Sequence, residues 1–207
     1  METESVVVLD FETTGLSPNQ GDRAIEIGAV LVRNNKIVDR FQSLMNPRMR
    51  ISSFIENYTG ITNKMLSTAP SIPEVIQKFV SFISNHPLVA HNASFDQRFL
   101  DAELHRISKE RNQEFACSML VSRRLYPDAP SHKLETLVRY KNLETSGVHH
   151  RALADAEMTG HLWINMVNDI KADYKLQNVS FDLMKRLSKV TKAAAPAFLQ
   201  RVADEQC

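Results

Sequence analysis

Val6-Val7-Val8-Leu9-Asp10-Phe11-Glu12-Thr13-Thr14-Gly15-Leu16 starts as four aliphatic residues and ends as a polar turn. A short apolar, β-branched run of this kind marks a buried strand. Side chains alternate along a strand, so Asp10 and Glu12 project from one face at its end. Two carboxylates on one face repel each other unless a cation lies between them. An isolated Asp-x-Glu pair reads as two surface acids. The Gly-containing turn that follows shifts this reading, because glycine lets backbone N–H groups come close to a ligand.

Downstream, residues 25–32 form a second apolar run, with Ile25, Ile27, Ala29 and Leu31 alternating against Glu26, Gly28 and Val30. Arg33-Asn34-Asn35-Lys36 is a polar turn, and residues 37–45 resume as a third strand. Short links favour an antiparallel meander. Helices follow. Residues 51–58 make a short one, and Ser71 with Glu74 three residues on marks the start of another. Val75, Ile76, Phe79, Val80 and Ile83 give that helix an apolar face. Two very short strands, at residues 88–90 and 115–116, alternate with helices near 95–104, 119–125 and 134–140, and a long helix runs over about residues 152–170. A meander followed by alternating strands and helices predicts an α/β fold with a mixed sheet flanked by helices.

The chain has 207 residues, 43% of them hydrophobic, enough for one good-sized core without disulfides. Its 25 basic and 24 acidic residues leave a net charge of +1, so charge alone does not announce a nucleic-acid binder. The two cysteines, Cys117 and Cys207, supply no disulfide framework or CxxC knuckle, which fits a reducing, cytoplasmic compartment. The acidic N-terminus and the lack of a long apolar stretch predict neither a secretory signal nor a membrane span. Residues 171–207 differ in character, with a net charge of +3 against −2 for the first 170. The expected division is therefore a domain over residues 1–170 and a basic, mostly helical extension over residues 171–207. Within it, Phe181, Leu183, Met184 and Leu187 suit a short amphipathic helix, and Pro196 interrupts any longer one.

Two further groups carry chemistry. Asn92 and Asp96 follow the strand at residues 88–90 and open a helix. Asn92 or Ser94 would cap it, and an acid in its first turn favours its dipole. The same position lies at the carboxyl end of a strand, where open α/β sheets bind ligands. His150 and Asp155 stand at the start of the long helix, with His149 as a neighbour. Each fragment alone has an ordinary structural reading.

In order along the chain, however, Leu9-Asp10-Phe11-Glu12-Thr13-Thr14-Gly15-Leu16, Ala90-His91-Asn92-Ala93-Ser94-Phe95-Asp96 and His150-Arg151-Ala152-Leu153-Ala154-Asp155-Ala156 resemble the motifs of the DEDD exonuclease superfamily. The likeness is to its histidine-bearing DEDDh branch, which includes proofreading subunits and exonuclease X type enzymes. It covers about residues 5–168. Gly60-Ile61-Thr62, Cys117-Ser118-Met119-Leu120 and Arg123-Arg124-Leu125-Tyr126-Pro127 match more weakly.

The resemblance implies a ribonuclease H-like fold with a central mixed five-stranded sheet, Asp10 and Glu12 on its middle strand, and helices delivering Asp96 and Asp155. It implies metal-dependent 3′→5′ removal of 5′-mononucleotides from a strand end. Asp10, Glu12 and Asp155 would hold two divalent cations, Mg²⁺ or Mn²⁺, with Asp96 acting through water; hard oxygen ligands suit these ions. His150, whose spacing to Asp155 matches the motif, would be the general base, ahead of His149. Thr13, Thr14, Gly15, Leu16, Ile61, Asn92 and Phe95 would meet the terminal nucleotide, although Leu16, Ile61 and Phe95 read equally as core.

Two departures stand out: Thr59 replaces the histidine that often precedes Gly-Ile-Thr, and Cys117 falls where many relatives carry an acid. The expected partner is the 3′ end of single-stranded DNA, with RNA or short oligonucleotides as the alternative, since no motif reads the 2′-hydroxyl. The extension would dock on a polymerase or another repair protein. A non-catalytic tethering module would have lost an acid or the histidine, and all five are present. A zinc hydrolase built on His149, His150 and His161 lacks the HExxH spacing.

Overall fold

The computed structural model describes residues 5–143 and 151–206. The opening run is strand β1 (Ser5–Thr13), and it lies at the centre of the sheet. On one side it pairs antiparallel with β2 (Ala24–Arg33), which pairs antiparallel with β3 (Lys36–Leu44). On the other side it pairs in parallel with β4 (Leu88–Ala90), which pairs in parallel with β5 (Phe115–Cys117). The order is β3-β2-β1-β4-β5, the mixed five-stranded sheet expected from the sequence.

Alternation along β1 feeds two cores. Val7, Leu9 and Phe11 pack with Ile27, Ala29, Phe79, Phe99 and Leu100 on the face covered by α3 (Ile72–Ile83) and α4 (Ser94–Arg106). Val6 and Val8 pack with Val30, Val32, Leu162, Trp163 and Met166 on the opposite face, under α7 (Ala152–Tyr174). Each fully buried aliphatic side chain contributes about 1.5–3 kcal/mol. The remaining helices before α7 are α1 (Ser53–Thr59), α2 (Asn63–Ser67), α5 (Ser118–Leu125) and α6 (Leu134–Tyr140).

The segment after α7 joins the Val6/Val8 core. Leu176, Val179, Leu183, Met184, Leu187, Phe198 and Leu199 are buried there, carried in part by α8 (Phe181–Leu187) and α9 (Ala195–Gln206). Pro196 lies in the first turn of α9, where its missing N–H would have had no partner, so it opens a second helix in this segment. Among the described residues no helix is long and apolar enough to cross a membrane.

Candidate active site

β1 outruns its parallel neighbour. Its pairing with β4 stops at Val8–Val89, while its pairing with β2 continues to Thr13. The last residues of β1 thus project beyond the short strands, and Asp10 and Glu12 stand there on the α7 face. The amide of Phe11, left without a β4 partner, donates to Asp96 Oδ1 at 3.1 Å. Asp96 sits in the first turn of α4 and is 2% exposed. The helix start contains no side-chain cap; neither Asn92 nor Ser94 fills that role.

Asp155 arrives by a different route. Gly28 is the register partner of Asp10, and a Cβ built on it would lie 2.1 Å from the Leu153 nitrogen. Only a glycine there lets the start of α7 touch the sheet. Glu26, the register partner of Glu12, is 0% exposed. Its Oε2 accepts from the Ala152 N–H at 3.1 Å, and its Oε1 accepts from Arg151 Nη2 at 2.7 Å and from Gln42 Nε2 at 2.9 Å. A buried strand carboxylate thus takes the place of an N-cap for α7. Sequence reasoning read Glu26 only as the polar side of an alternation. The signal available was an acid in a strand otherwise rich in buried aliphatics.

These contacts bring Asp10, Glu12 and Asp155 together, with one carboxylate oxygen of each within 4.8 Å of the other two. Burial is the largest influence on the protonation of Asp10 and Glu12. It pushes Glu12 up to about 8, with Asp155, Glu26 and Asp96 adding to the rise and Arg151 opposing it. Burial and then Asp96, Asp155 and Glu12 hold Asp10 well above the usual carboxylate range. Asp96 is also raised by burial, against the lowering effect of its backbone hydrogen bonds. Converging hard oxygen donors that repel one another are the donor set a divalent cation fits.

The carboxylates line a cleft of about 750 Å³, together with Thr13, Thr14, Gly15, Leu16, Phe54, Tyr58, His91, Phe95 and Leu134. The turn after β1 is braced by Asp22, another residue the sequence reading passed over. Thr14 Oγ1 donates to Asp22 Oδ1 at 3.2 Å and the Ser17 N–H donates to Asp22 Oδ2 at 2.9 Å. A Cβ on Gly15 would lie 2.4 Å from the same carboxylate, so a larger residue there would push Asp22 out of its place against the turn.

Leu16 is 77% exposed at the lip of the cleft, and Phe95 lines it while packing on Phe99. Ile61 does not line it: the side chain is fully buried among Ile25, Ile51 and Leu66, on the core side of the α1–α2 junction. Nor does Asn92, which is exposed in a left-handed conformation and uses its carbonyl to accept the Phe95 N–H. Its neighbour His91 lines the cleft instead. The His91 ring bridges Ser118 Oγ (2.8 Å) and the His132 carbonyl (2.9 Å), and burial lowers its pKa to about 4. Thr59, the departure from histidine, donates its hydroxyl to the Ile55 carbonyl and accepts the Ile61 N–H, tying the end of α1 to the next turn. His149 and His150 lie outside the described residues.

The RNase_T exonuclease family model matches residues 7–162, the stretch that carries all of these acids. The chain belongs to the DEDD exonuclease superfamily. Members use divalent metal ions, and the structure of this chain brings Asp10, Glu12 and Asp155 into one acidic cluster. Among curated proteins it is 40% identical over 184 residues to the PolC-type DNA polymerase III of Caldanaerobacter subterraneus subsp. tengcongensis, covering 89% of this chain but 13% of that protein. It is likewise 40% identical over 172 residues to the PolC-type DNA polymerase III of Bacillus subtilis, covering 82% and 12%. The chain therefore spans about one-eighth of these relatives.

Among solved structures, exonuclease X in complex with 5′ overhanging duplex DNA superposes with a TM-score of 0.71 at 29% identity, covering 88% of this chain and 99% of that one. The nuclease domain of 3′hExo, a DEDDh family member bound to rAMP, shares the fold at 20% identity, with a TM-score of 0.69 and coverage of 81% and 94%.

Proposed function

We propose that this exonuclease hydrolyses single-stranded DNA from its 3′ end and releases 5′-mononucleotides. The observation that carries this reading is the convergence of Asp10, Glu12 and Asp155 in a cleft that also holds the turn Thr13–Leu16. Asp10, Glu12 and Asp155 would hold two divalent cations, Mg²⁺ or Mn²⁺. Bound there, they supply Lewis-acid stabilisation of the charge that builds on the phosphate oxygens.

Asp96 anchors Phe11 and through it the end of β1, and its carboxylate would act on the cations through water. His150 takes a proton from the attacking water. The hydroxyl adds to phosphorus, the bond to the leaving 3′ oxygen breaks, and that oxygen takes up a proton. The backbone of Thr13, Thr14 and Gly15 meets the terminal 3′-hydroxyl, while Leu16 and Phe95 pack on the terminal nucleoside. Such contacts read a strand end and not base identity.

DNA is favoured by the PolC-type DNA polymerase III relatives and by the exonuclease X complex with DNA. The same relatives support a cytoplasmic setting and a role in proofreading or DNA repair. Residues 171–207 would serve as the extension that docks on the polymerase or repair protein.

The test uses single-stranded DNA and RNA of one sequence, labelled at the 5′ end, with Mg²⁺, Mn²⁺ or EDTA and with Asp10→Ala as control. The expected result is a DNA ladder that shortens from the 3′ end, faster than the RNA ladder, and is absent with EDTA and in the variant. Cleavage proceeding from the 5′ end, or persisting in EDTA, overturns the reading. His150→Ala is expected to slow turnover by about 10²- to 10⁴-fold with metal binding retained. If His149→Ala is instead the damaging change, the base has been assigned to the wrong histidine.

A further inference from the structure

Asp96 and Glu103 are seven residues apart on α4, two turns along one face of that helix. Both are buried, Asp96 at 2% exposure and Glu103 at 1%. They grip different strands. Asp96 accepts the Phe11 N–H near the end of β1. Glu103 holds the start of β2: its Oε1 accepts from Arg23 Nε at 2.9 Å, its Oε2 accepts from Arg23 Nη2 at 3.0 Å, and Oε1 also accepts the Ala24 N–H at 3.4 Å. Between the two grips runs the loop of residues 14–23, which begins with the turn at the cleft's lip.

Stability alone does not account for Glu103. Its neighbours Phe99, Leu100 and Leu104 are buried and apolar, and an apolar residue at 103 would serve the same core. Replacing a buried ion pair by packed apolar side chains is often neutral or stabilising. What the ion pair supplies is a fixed direction. Arg23 closes the loop, because its carbonyl accepts the Thr14 N–H at 2.9 Å and its own N–H donates to Thr14 Oγ1 at 3.0 Å. Holding Arg23 therefore holds Thr14. Arg106 Nη1 lies 3.3 Å from the same Glu103 carboxylate, and its Nη2 donates to the Pro18 carbonyl at 3.2 Å. Glu103 thus moors the loop to α4 at two points, its closing residue and its middle.

We propose that Glu103 is a positioning residue for the strand end: with Asp96 it forms a two-carboxylate clamp on one face of α4 that fixes the turn after β1 and so sets how tightly a terminal 3′-hydroxyl is held. This rests on the exonuclease reading above, which puts the backbone of Thr13, Thr14 and Gly15 against that hydroxyl. A hydrogen bond weakens steeply when misaligned, and a backbone group cannot be re-aimed without moving the turn that carries it. Glu103 itself does not line the cleft. Its loss loosens the β2 leg of the loop, while Asp96 still holds the β1 leg and Asp10, Glu12 and Asp155 keep their places. The clamp therefore acts on binding of the strand end and not on the chemical step.

The test compares two single-stranded DNAs, fluorescently labelled at the 5′ end, that differ only in a terminal 3′-hydroxyl or a 2′,3′-dideoxy end. Each carries a slowly hydrolysed phosphorothioate at the last linkage and is titrated by anisotropy with the full chain and Mg²⁺. The unaltered protein is expected to bind the hydroxyl end more tightly. In Glu103→Gln, which keeps the shape and an acceptor but not the charge, that preference is expected to shrink about fivefold, the size of one lost hydrogen bond. Arg23→Ala is expected to shrink it by a similar factor, and the double variant no further than either alone. In steady-state cleavage of the hydroxyl strand with an ordinary last linkage, KM is expected to rise by about the same factor in Glu103→Gln, while kcat and its Mg²⁺ dependence change far less. Leu187→Ala, which empties a buried site of α8 in the opposite core, is expected to lower stability and leave the preference unchanged. No preference in the unaltered protein, or one that survives in both Glu103→Gln and Arg23→Ala, with the 3′ ladder still dependent on Asp10, overturns the clamp and leaves the exonuclease reading standing. A preference that shrinks equally in Leu187→Ala overturns it too. A preference that shrinks in Glu103→Gln and Arg23→Ala but not in Leu187→Ala, in a protein that cleaves nothing, supports the clamp and overturns the exonuclease reading.

Discussion

Glu12 and Glu26 face each other across β1 and β2, share one face of the sheet, and are in opposite circumstances. Glu26 is fully buried and has its charge answered by Arg151, the Ala152 N–H and Gln42. Glu103, the other fully buried glutamate among the described residues, is answered in the same way by Arg23 and Arg106. Glu12 has other carboxylates as neighbours, and its pKa is pushed up to about 8. A buried acid that has been given a cation of the chain is part of the frame. A cluster of acids crowded against one another is held for a cation from outside. The frame acids also position the site acids, because the contact that satisfies Glu26 fixes the start of the helix bearing Asp155.

The largest expected effect separates the two classes most sharply. Asp10→Asn removes a proposed metal ligand and one source of repulsion together. It is expected to abolish cleavage while raising the melting temperature in EDTA, read by the 5′-labelled ladder and by thermal denaturation. A variant that loses both activity and stability would place Asp10 with the frame.

Next in size is Gly28→Ala. Its Cβ has no room against the Leu153 nitrogen, so α7 must move off the sheet, at about 3 kcal/mol or more. Melting is expected to fall by roughly 6–12 °C and activity to fall with it, because Asp155 leaves the cluster. Glu26→Ala is expected to cost somewhat less, about 2–3 kcal/mol: Arg151 is one-third exposed and can turn to water, whereas the Ala152 N–H cannot. Glu26→Gln keeps acceptors for both donors and is expected to recover most of that loss, measured by chemical denaturation. Equal damage from Gln and Ala would mean that the charge itself, and not the hydrogen bonding, holds α7.

Much of this division was legible in the sequence, and the unread part has a physical cause. Strand alternation gives the mixed sheet, because it depends on local periodicity; the central position of β1 and the grouping of Asp10, Glu12, Asp96 and Asp155 come only through the family resemblance that the ordered motifs carry. The role of Glu26 depends on register: it becomes a cap only when β2 is set against β1 and α7 lies across Gly28, a relation between residues 125 or more apart in the chain. The same holds for Asp22, whose carboxylate occupies the space beside Gly15. Ile61 and Leu16 look alike as apolar residues next to a motif, yet one is fully buried and the other 77% exposed, since one follows a helix into the core and the other sits on a turn at the cleft's lip. Phe54 and Tyr58 read in the sequence as the body of a short helix; exposure alone sets them apart.

The smallest expected effect is a pH slope that exists only without metal. Glu12 has an ordinary pKa of 4.5 in the unfolded chain and about 8 in the fold. Between those values the folded protein holds more protons than the unfolded one, so stability falls as pH rises through the window. Asp10 and Asp96, raised in the same direction, act with the same sign. In EDTA the melting temperature is therefore expected to decline by a few degrees from about pH 5 to about pH 8, and Glu12→Gln is expected to flatten that decline. Saturating Mg²⁺ works the other way, since the cation binds the ionised acids and its stabilisation grows as they lose their protons. Glu26→Gln provides the contrast: Glu26 adds to the rise at Glu12 only after burial and Asp155, so the slope in EDTA should survive its removal largely intact. A slope that vanishes with Glu26→Gln and survives Glu12→Gln would reverse the assignment of which glutamate belongs to the frame and which to the site.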